Sequence, residues 1–176
     1  MKIVIFGGAN YNASHTYYKL AYDFGSYIAK NGHTVINGGY GGIMEASAKG
    51  AYENGGNTLG ITFDYLPFKP NNYIKQAISK PDLLTRTKHL IDIGDVYIAF
   101  PGGTGTLLEI SMVLEFMNKR VIPSRQFFFA TDFWKKVIDS VTPELKFKDP
   151  RFADSESHKN IMRLINFIHT PEELML

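Results

Sequence analysis

The chain predicts an α/β fold, a Rossmann-like, doubly wound and mostly parallel sheet with helices on both faces. Three observations carry the prediction. Short apolar runs alternate with amphipathic segments, the runs are apolar at successive positions, and three of them end in paired glycines. A length of 176 residues fits one nucleotide-binding domain spanning 1–176.

In chain order, the expected strands are "KIVIF", "HTVIN", "NTLGITF", "DVYIAF" and "QFFFA". Each is rich in branched or aromatic side chains, as in a sheet covered on both sides. Residues 16 to 31 place Tyr17, Leu20, Ala21, Phe24 and Ile28 on one helical stripe, with Gly32 as a stop. Residues 43 to 54, 82 to 93 and 105 to 118 supply further helices. Residues 63 to 80, with two prolines, an Asn-Asn pair and three aromatics, read as a structured loop that folds over a site or meets a second subunit. Trp134 marks the start of a packed helix, and residues 143 to 157 read as a charged connection. Ile161, Leu164, Ile165 and Ile168 read as an amphipathic terminal helix.

Composition narrows the function. The chain has no cysteine, which excludes disulfides, thiolate metal sites and cysteine nucleophiles and fits a reducing compartment. A net charge of +2 without any block of like charge gives no footprint for nucleic acid or an anionic membrane. No apolar run reaches the ~18 residues of a membrane span, so a cytoplasmic protein is expected. The five histidines show no H-E-x-x-H spacing, and neither a metal nor an organic cofactor is expected.

The glycine turns are the strongest local signal: "VIFGG" at Gly7 and Gly8, "VINGGYGG" at Gly38, Gly39, Gly41 and Gly42, and "IAFPGG" at Gly102 and Gly103. In an open parallel sheet, ligands bind outside the carboxyl ends of the strands. The turns either line a ligand crevice or are simply tight connections. Gly103, Thr104, Gly105 and Thr106 open a helix whose free N–H groups suit a phosphate. No G-x-G-x-x-G follows the first strand, and no G-x-x-x-x-G-K-[ST] or G-x-S-x-G occurs.

Glu109 has two readings. "TLLE", Thr106 to Glu109, matches a capping box, a purely structural role. The alternative comes from the helix "DLLTRTKHLIDIG", where Leu83, Leu90 and Ile93 define an apolar stripe that also carries Arg86. An inward arginine requires an anion unless it snorkels to solvent. This helix feeds the strand that ends at the last glycine turn, so Arg86 and Glu109 can meet at the crevice. Tyr40 in the second glycine loop is a candidate to stack on a base, or else a loop or dimer contact.

These residues resemble a known family. "PGGTGTLLE" resembles the P-G-G-x-G-T-x-x-E motif of the LONELY GUY family, cytokinin riboside 5′-monophosphate phosphoribohydrolases with an older label of lysine decarboxylases. The family's arginine stands fifteen residues before the motif proline, as Arg86 stands before Pro101, and its aspartate before the strand matches Asp95. "GGYGGIMEASAKGAYENGG" resembles its earlier glycine motif, and the likeness spans roughly residues 2 to 120. The resemblance implies a homodimer that cleaves a nucleoside 5′-monophosphate to free base and ribose 5-phosphate. Arg86 and Glu109 would be catalytic. Gly8, Gly39, Gly41, Thr87, Gly102, Gly103, Thr104, Gly105 and Thr106 would bind substrate. Three positions depart from the plant-type pattern: Thr87 replaces a lysine, Leu108 a glutamate and Glu45 a glycine. A carrier of a phosphorylated ligand, such as a molybdenum-cofactor carrier, is the alternative. A pyridoxal-phosphate decarboxylase is a weaker one, since no lysine lies in a glycine turn.

Overall fold

The computed structural model describes residues 1–65, 67–141 and 163–174. In chain order these form β1 (Lys2–Phe6), α1 (Thr16–Lys30), β2 (Thr34–Asn37), α2 (Ile43–Glu53), β3 (Asn57–Phe63), β4 (Gln76–Lys80), α3 (Leu83–Ile93), β5 (Val96–Ala99), α4 (Thr104–Asn118), β6 (Phe127–Ala130), α5 (Lys135–Val141) and β7 (Ile165–Ile168). The strands make one seven-stranded sheet in the order β4-β3-β2-β1-β5-β6-β7. Every neighbouring pair is parallel. The α/β, doubly wound architecture expected from the sequence is therefore present.

Alternation along the strands builds two cores. Ile3 and Ile5 of β1 face α1 and α2 and pack with Phe24, Ile28 and Ile43. Val4 and Phe6 point the other way, into a cluster with Leu90 of α3 and Ile110, Val113 and Leu114 of α4. Burying such a side chain contributes about 1.5–3 kcal/mol, which is why these strands read as continuous apolar runs. Helices α1 and α2 approach closely enough that a methyl group on Gly25 would collide with the Ser47 carbonyl, and one on Gly50 with that of Tyr22.

Two segments depart from expectation. Residues 63 to 80 are not wholly loop, because Gln76–Lys80 pair in parallel with β3 as an edge strand. Their sequence, QAISK, is polar and largely exposed, so the apolar signal of a covered strand is missing. The second is Ile165–Ile168, which forms β7 on β6 rather than continuing a terminal helix. Apolar residues spaced by three and four fit a helix, but a run this short also fits a strand. Pairing decides it, with Phe167 stacked on Phe129 at 5.0 Å between ring centroids. Ile161 and residues 143 to 157 lie outside the described residues. Trp134 ends a 3-10 turn before α5 and is buried, its indole N–H donating to the Phe100 carbonyl at 2.9 Å. No helix among the described residues is long and apolar enough to cross a membrane.

Candidate functional site

Strand order places the crevice. From β1 the chain winds outward through β2, β3 and β4, and on the other side through β5, β6 and β7. The turn after β1 therefore leads to α1 on one face and the turn after β5 to α4 on the other. A cleft opens where they part. The turns touch through backbone: the Gly8 N–H donates to the Pro101 carbonyl at 3.0 Å. A methyl group on Gly102 would lie 2.9 Å from the Gly8 nitrogen, which explains glycine there. The turn after β2 docks on the first, with the Ile43 N–H donating to the Gly8 carbonyl at 3.0 Å. Gly42 makes this approach at φ +66°, where a side chain would strike Gly8 and Ala9.

Asn37, a polar residue ending an apolar strand, is fully buried and organises the second loop. Its side chain accepts from the Gly39 N–H at 2.8 Å and donates to the Met44 carbonyl at 2.8 Å. Gly38 then leaves room for Arg86, since a methyl group there would collide with the guanidinium and lie 2.7 Å from the Met44 sulfur.

Arg86 is only 6 % exposed. Its Nε donates to the Ile61 carbonyl at 2.7 Å, and its guanidinium lies 5.9 Å from the Tyr40 ring and 5.8 Å from that of Phe63. These are cation–π distances. Tyr40 is locked in turn by hydroxyl contacts to Phe63, and Asn71 donates to the Tyr40 carbonyl at 2.8 Å. Tyr40 thus supports the arginine from behind. The inward reading of Arg86 is correct, but the stripe differs: Leu83 is 43 % exposed, and the buried face is Arg86, Thr87, Leu90 and Ile91.

Glu109 faces this arginine. Its Oε1 lies 3.7 Å from Arg86 Nη1, and its side chain is 13 % exposed. That is an ion pair but too long for a hydrogen bond, so both groups keep bonding capacity for a third partner. Burial pushes the Glu109 carboxyl up to about 7, with Arg86 pulling against the shift. Burial likewise lowers the Arg86 value, opposed by the charge of Glu109 and by Tyr40. The capping-box reading fails because α4 begins at Thr104 with Gly103 as its cap, leaving Thr106 inside the first turn with helical backbone. Thr106 and Glu109, three apart, instead share one face of the helix. No side chain caps α4 and no acidic residue occupies its first turn, so its free N–H groups open beside Glu109.

The cleft measures about 220 Å3, and Gly8, Gly38, Arg86, Gly103, Thr106 and Glu109 are among its lining. Gly105 also lines it, so of the expected substrate-binding set the structure gathers Gly8, Gly103, Gly105 and Thr106 around the Arg86–Glu109 pair. Gly39, Gly41, Gly102 and Thr104 shape or flank the turns without lining the cleft. Thr87 also stands outside: it is 1 % exposed, one residue and therefore about 100° round the helix from Arg86. Its hydroxyl lacks a hydrogen-bond partner among the described residues. Gly38, Met44 and Ala9 line the cleft without having been singled out as binding residues. Gly38 belongs to the second paired-glycine turn, whose position at a strand end was its signal in the sequence. Glu45, the departure in the glycine motif, is directed elsewhere, raising the Tyr18 phenol to about 12 together with burial, the larger cause.

Comparison with known proteins agrees with this architecture. An uncharacterized protein of Archaeoglobus fulgidus is 40% identical over 107 residues, covering 59% of this chain and 68% of that one. A cytokinin riboside 5′-monophosphate phosphoribohydrolase of Rhodococcoides fascians is 29% identical over 116 residues, covering 64% of this chain and 59% of its own length. Among solved structures, a molybdenum cofactor binding protein from Rippkaea orientalis superimposes with a TM-score of 0.70 at 22% identity, over 97% of this chain and 90% of that one. At that identity the likeness concerns the fold. The SLOG cluster4 family model matches residues 1–151. The glycine turns, the Arg86–Glu109 pair and this match agree, and the chain belongs to the SLOG cluster4 family, the LONELY GUY type that its motif resembles.

Proposed function

We propose that this protein hydrolyses the N-glycosidic bond of a nucleoside 5′-monophosphate, AMP-like or a cytokinin riboside monophosphate, giving free base and ribose 5-phosphate. The carrying observation is the buried Arg86–Glu109 pair beside the uncapped N-terminus of α4. The phosphate binds the N–H groups at Gly103 to Thr106, and the ribose lies toward Glu109. The C1′–N bond breaks with both electrons leaving on the base, which finally takes up the proton that Glu109 accepts from the attacking water, restoring the carboxylate. Positive charge develops on C1′ and the ring oxygen, and the Glu109 carboxylate stabilises it. A water oxygen then bonds to C1′ while its proton passes to Glu109. A carboxyl value of about 7 suits a group that must be ionised before water attacks and protonated after it. Arg86, anchored on Ile61, holds Glu109 and substrate in register.

The named relative from Rhodococcoides fascians supports this reading. A homodimer is proposed as well, with Tyr65 and Phe68, 86% and 65% exposed, as apolar surface for a second copy. The competing reading is a carrier of a phosphorylated ligand of the molybdenum-cofactor kind, favoured by the fold shared with the Rippkaea orientalis protein. A carrier has no need of a carboxylate with a raised pKa facing the anion site. The test is release of ribose 5-phosphate from AMP and other nucleoside monophosphates by wild type, Glu109→Gln and Arg86→Ala. Turnover lost in both folded variants supports the hydrolase. No turnover by wild type, with tight binding of a phosphorylated ligand that survives Glu109→Gln, moves the carrier into first place.

A further inference from the structure

The cleft is too small for the whole substrate just proposed. Pockets that enclose drug-sized ligands measure about 300–1,000 Å3, whereas this one holds about 220 Å3. With phosphate at the start of α4 and ribose beside Glu109, the base must project over the rim. An aromatic group stands on that rim. The Tyr11 ring lies against Gly8, its Cε2 only 2.9 Å from where a methyl group on that glycine would sit, and Gly8 lines the cleft.

Tyr11 is partly exposed and held on two sides. Tyr17 meets it edge-on at 5.5 Å and 87°, and His15 lies 4.6 Å away, tilted by 49°. His15 is itself fixed, because its Nδ1 caps α1 by accepting the Tyr17 N–H at 3.1 Å. The cap therefore reserves Nδ1 as an acceptor and leaves Nε2 as the available donor position on an exposed ring. A preorganised aromatic ring with a polar neighbour, next to a lining glycine, matches what a nucleobase requires of a stacking platform.

We infer that Tyr11, braced by His15 and Tyr17, is the specificity-determining residue that stacks the nucleobase at the mouth of the Arg86–Glu109 cleft. The inference rests on the nucleoside-monophosphate reading and adds to it the subsite for the base. It assigns Tyr11 no part in bond cleavage.

The test compares binding of AMP and ribose 5-phosphate by calorimetry, in the Glu109→Gln background so that AMP is not consumed. Before the rim is altered, AMP should bind more tightly than ribose 5-phosphate. Tyr11→Ala should weaken AMP by about tenfold, the effect of losing one base–aromatic stack, and leave ribose 5-phosphate unchanged. Tyr11→Phe should preserve both affinities. His15→Asn, which keeps a capping acceptor, should weaken AMP selectively but less than Tyr11→Ala. Equal loss of both ligands in Tyr11→Ala would show a structural ring and overturn the inference, as would unchanged AMP affinity or no preference for AMP over ribose 5-phosphate. The proposed reaction is judged separately by wild-type release of ribose 5-phosphate. Failure there with the selective binding pattern intact would remove the hydrolase and leave the base subsite standing.

Discussion

Glu109 and Arg86 make each other's burial tolerable, and this has consequences for stability as well as activity. The folded Glu109 value, raised from 4.5 to about 7, means that the fold favours its protonated form. Its stabilising contribution is complete below the unfolded value and is lost as pH rises to about 7. Wild type should therefore lose on the order of 3 kcal/mol more stability than Glu109→Gln between pH 4.5 and 8, measured by urea unfolding at several pH values. Under the proposed mechanism the ionised form is the active one, so kcat/KM should climb with pH along a limb centred near 7. Gly38→Ala tests the same pair from outside it. The added methyl must displace the guanidinium, whose Nε is anchored on the Ile61 carbonyl, and a displacement of about 1 Å can lower activity on the order of a hundredfold. The check is kcat/KM beside a melting curve; activity retained with an unchanged melt would show that Arg86 is not held as described.

At the scale of elements, the close crossing of α1 and α2 carries one side of the molecule. Gly25→Ala should destabilise the protein by about 1–3 kcal/mol through overpacking against the Ser47 carbonyl, read as a lower urea midpoint with an unchanged slope. Loss of turnover at low temperature in that variant would mean that the crossing also sets the site, against its position behind α2. Legibility differed from element to element. The helices α1 and α2 and strands β1 to β3 were readable because burial on both faces, or along one helical stripe, leaves a periodic apolar record. The strand β4 left no such record, because an exposed edge needs no apolar side chains. In β7, periodicity could not separate a short strand from a helix, and only pairing with β6 resolved it.

For the whole molecule, the open N-terminus of α4 at the switch point between β1 and β5 makes phosphate the expected handle. Ligands that bind only the folded state raise its stability, by about 2.7 kcal/mol at a hundredfold excess over Kd. Nucleoside 5′-monophosphates should therefore raise the melting temperature, and the parent nucleosides should do so far less. Equal shifts from both would argue against an anchor at Gly103 to Thr106. The sheet makes this anchor possible, since parallel strands deliver three glycine turns to one edge.

The sequence by itself determined the layered α/β plan and the glycine turns, because these follow from local periodicity; for Arg86 and Glu109 it left capping and snorkelling as alternatives, and the structure set the two 3.7 Å apart. Tertiary structure decided where α4 begins and hence that Thr106 does not cap it, that Gly38 leaves room for the guanidinium, and that Thr87 turns away from the cleft. It also brought the Tyr11 ring against Gly8, which lines the cleft. Each of these depends on which segment lies across from which, and that is set by packing between strands and helices far apart in the chain.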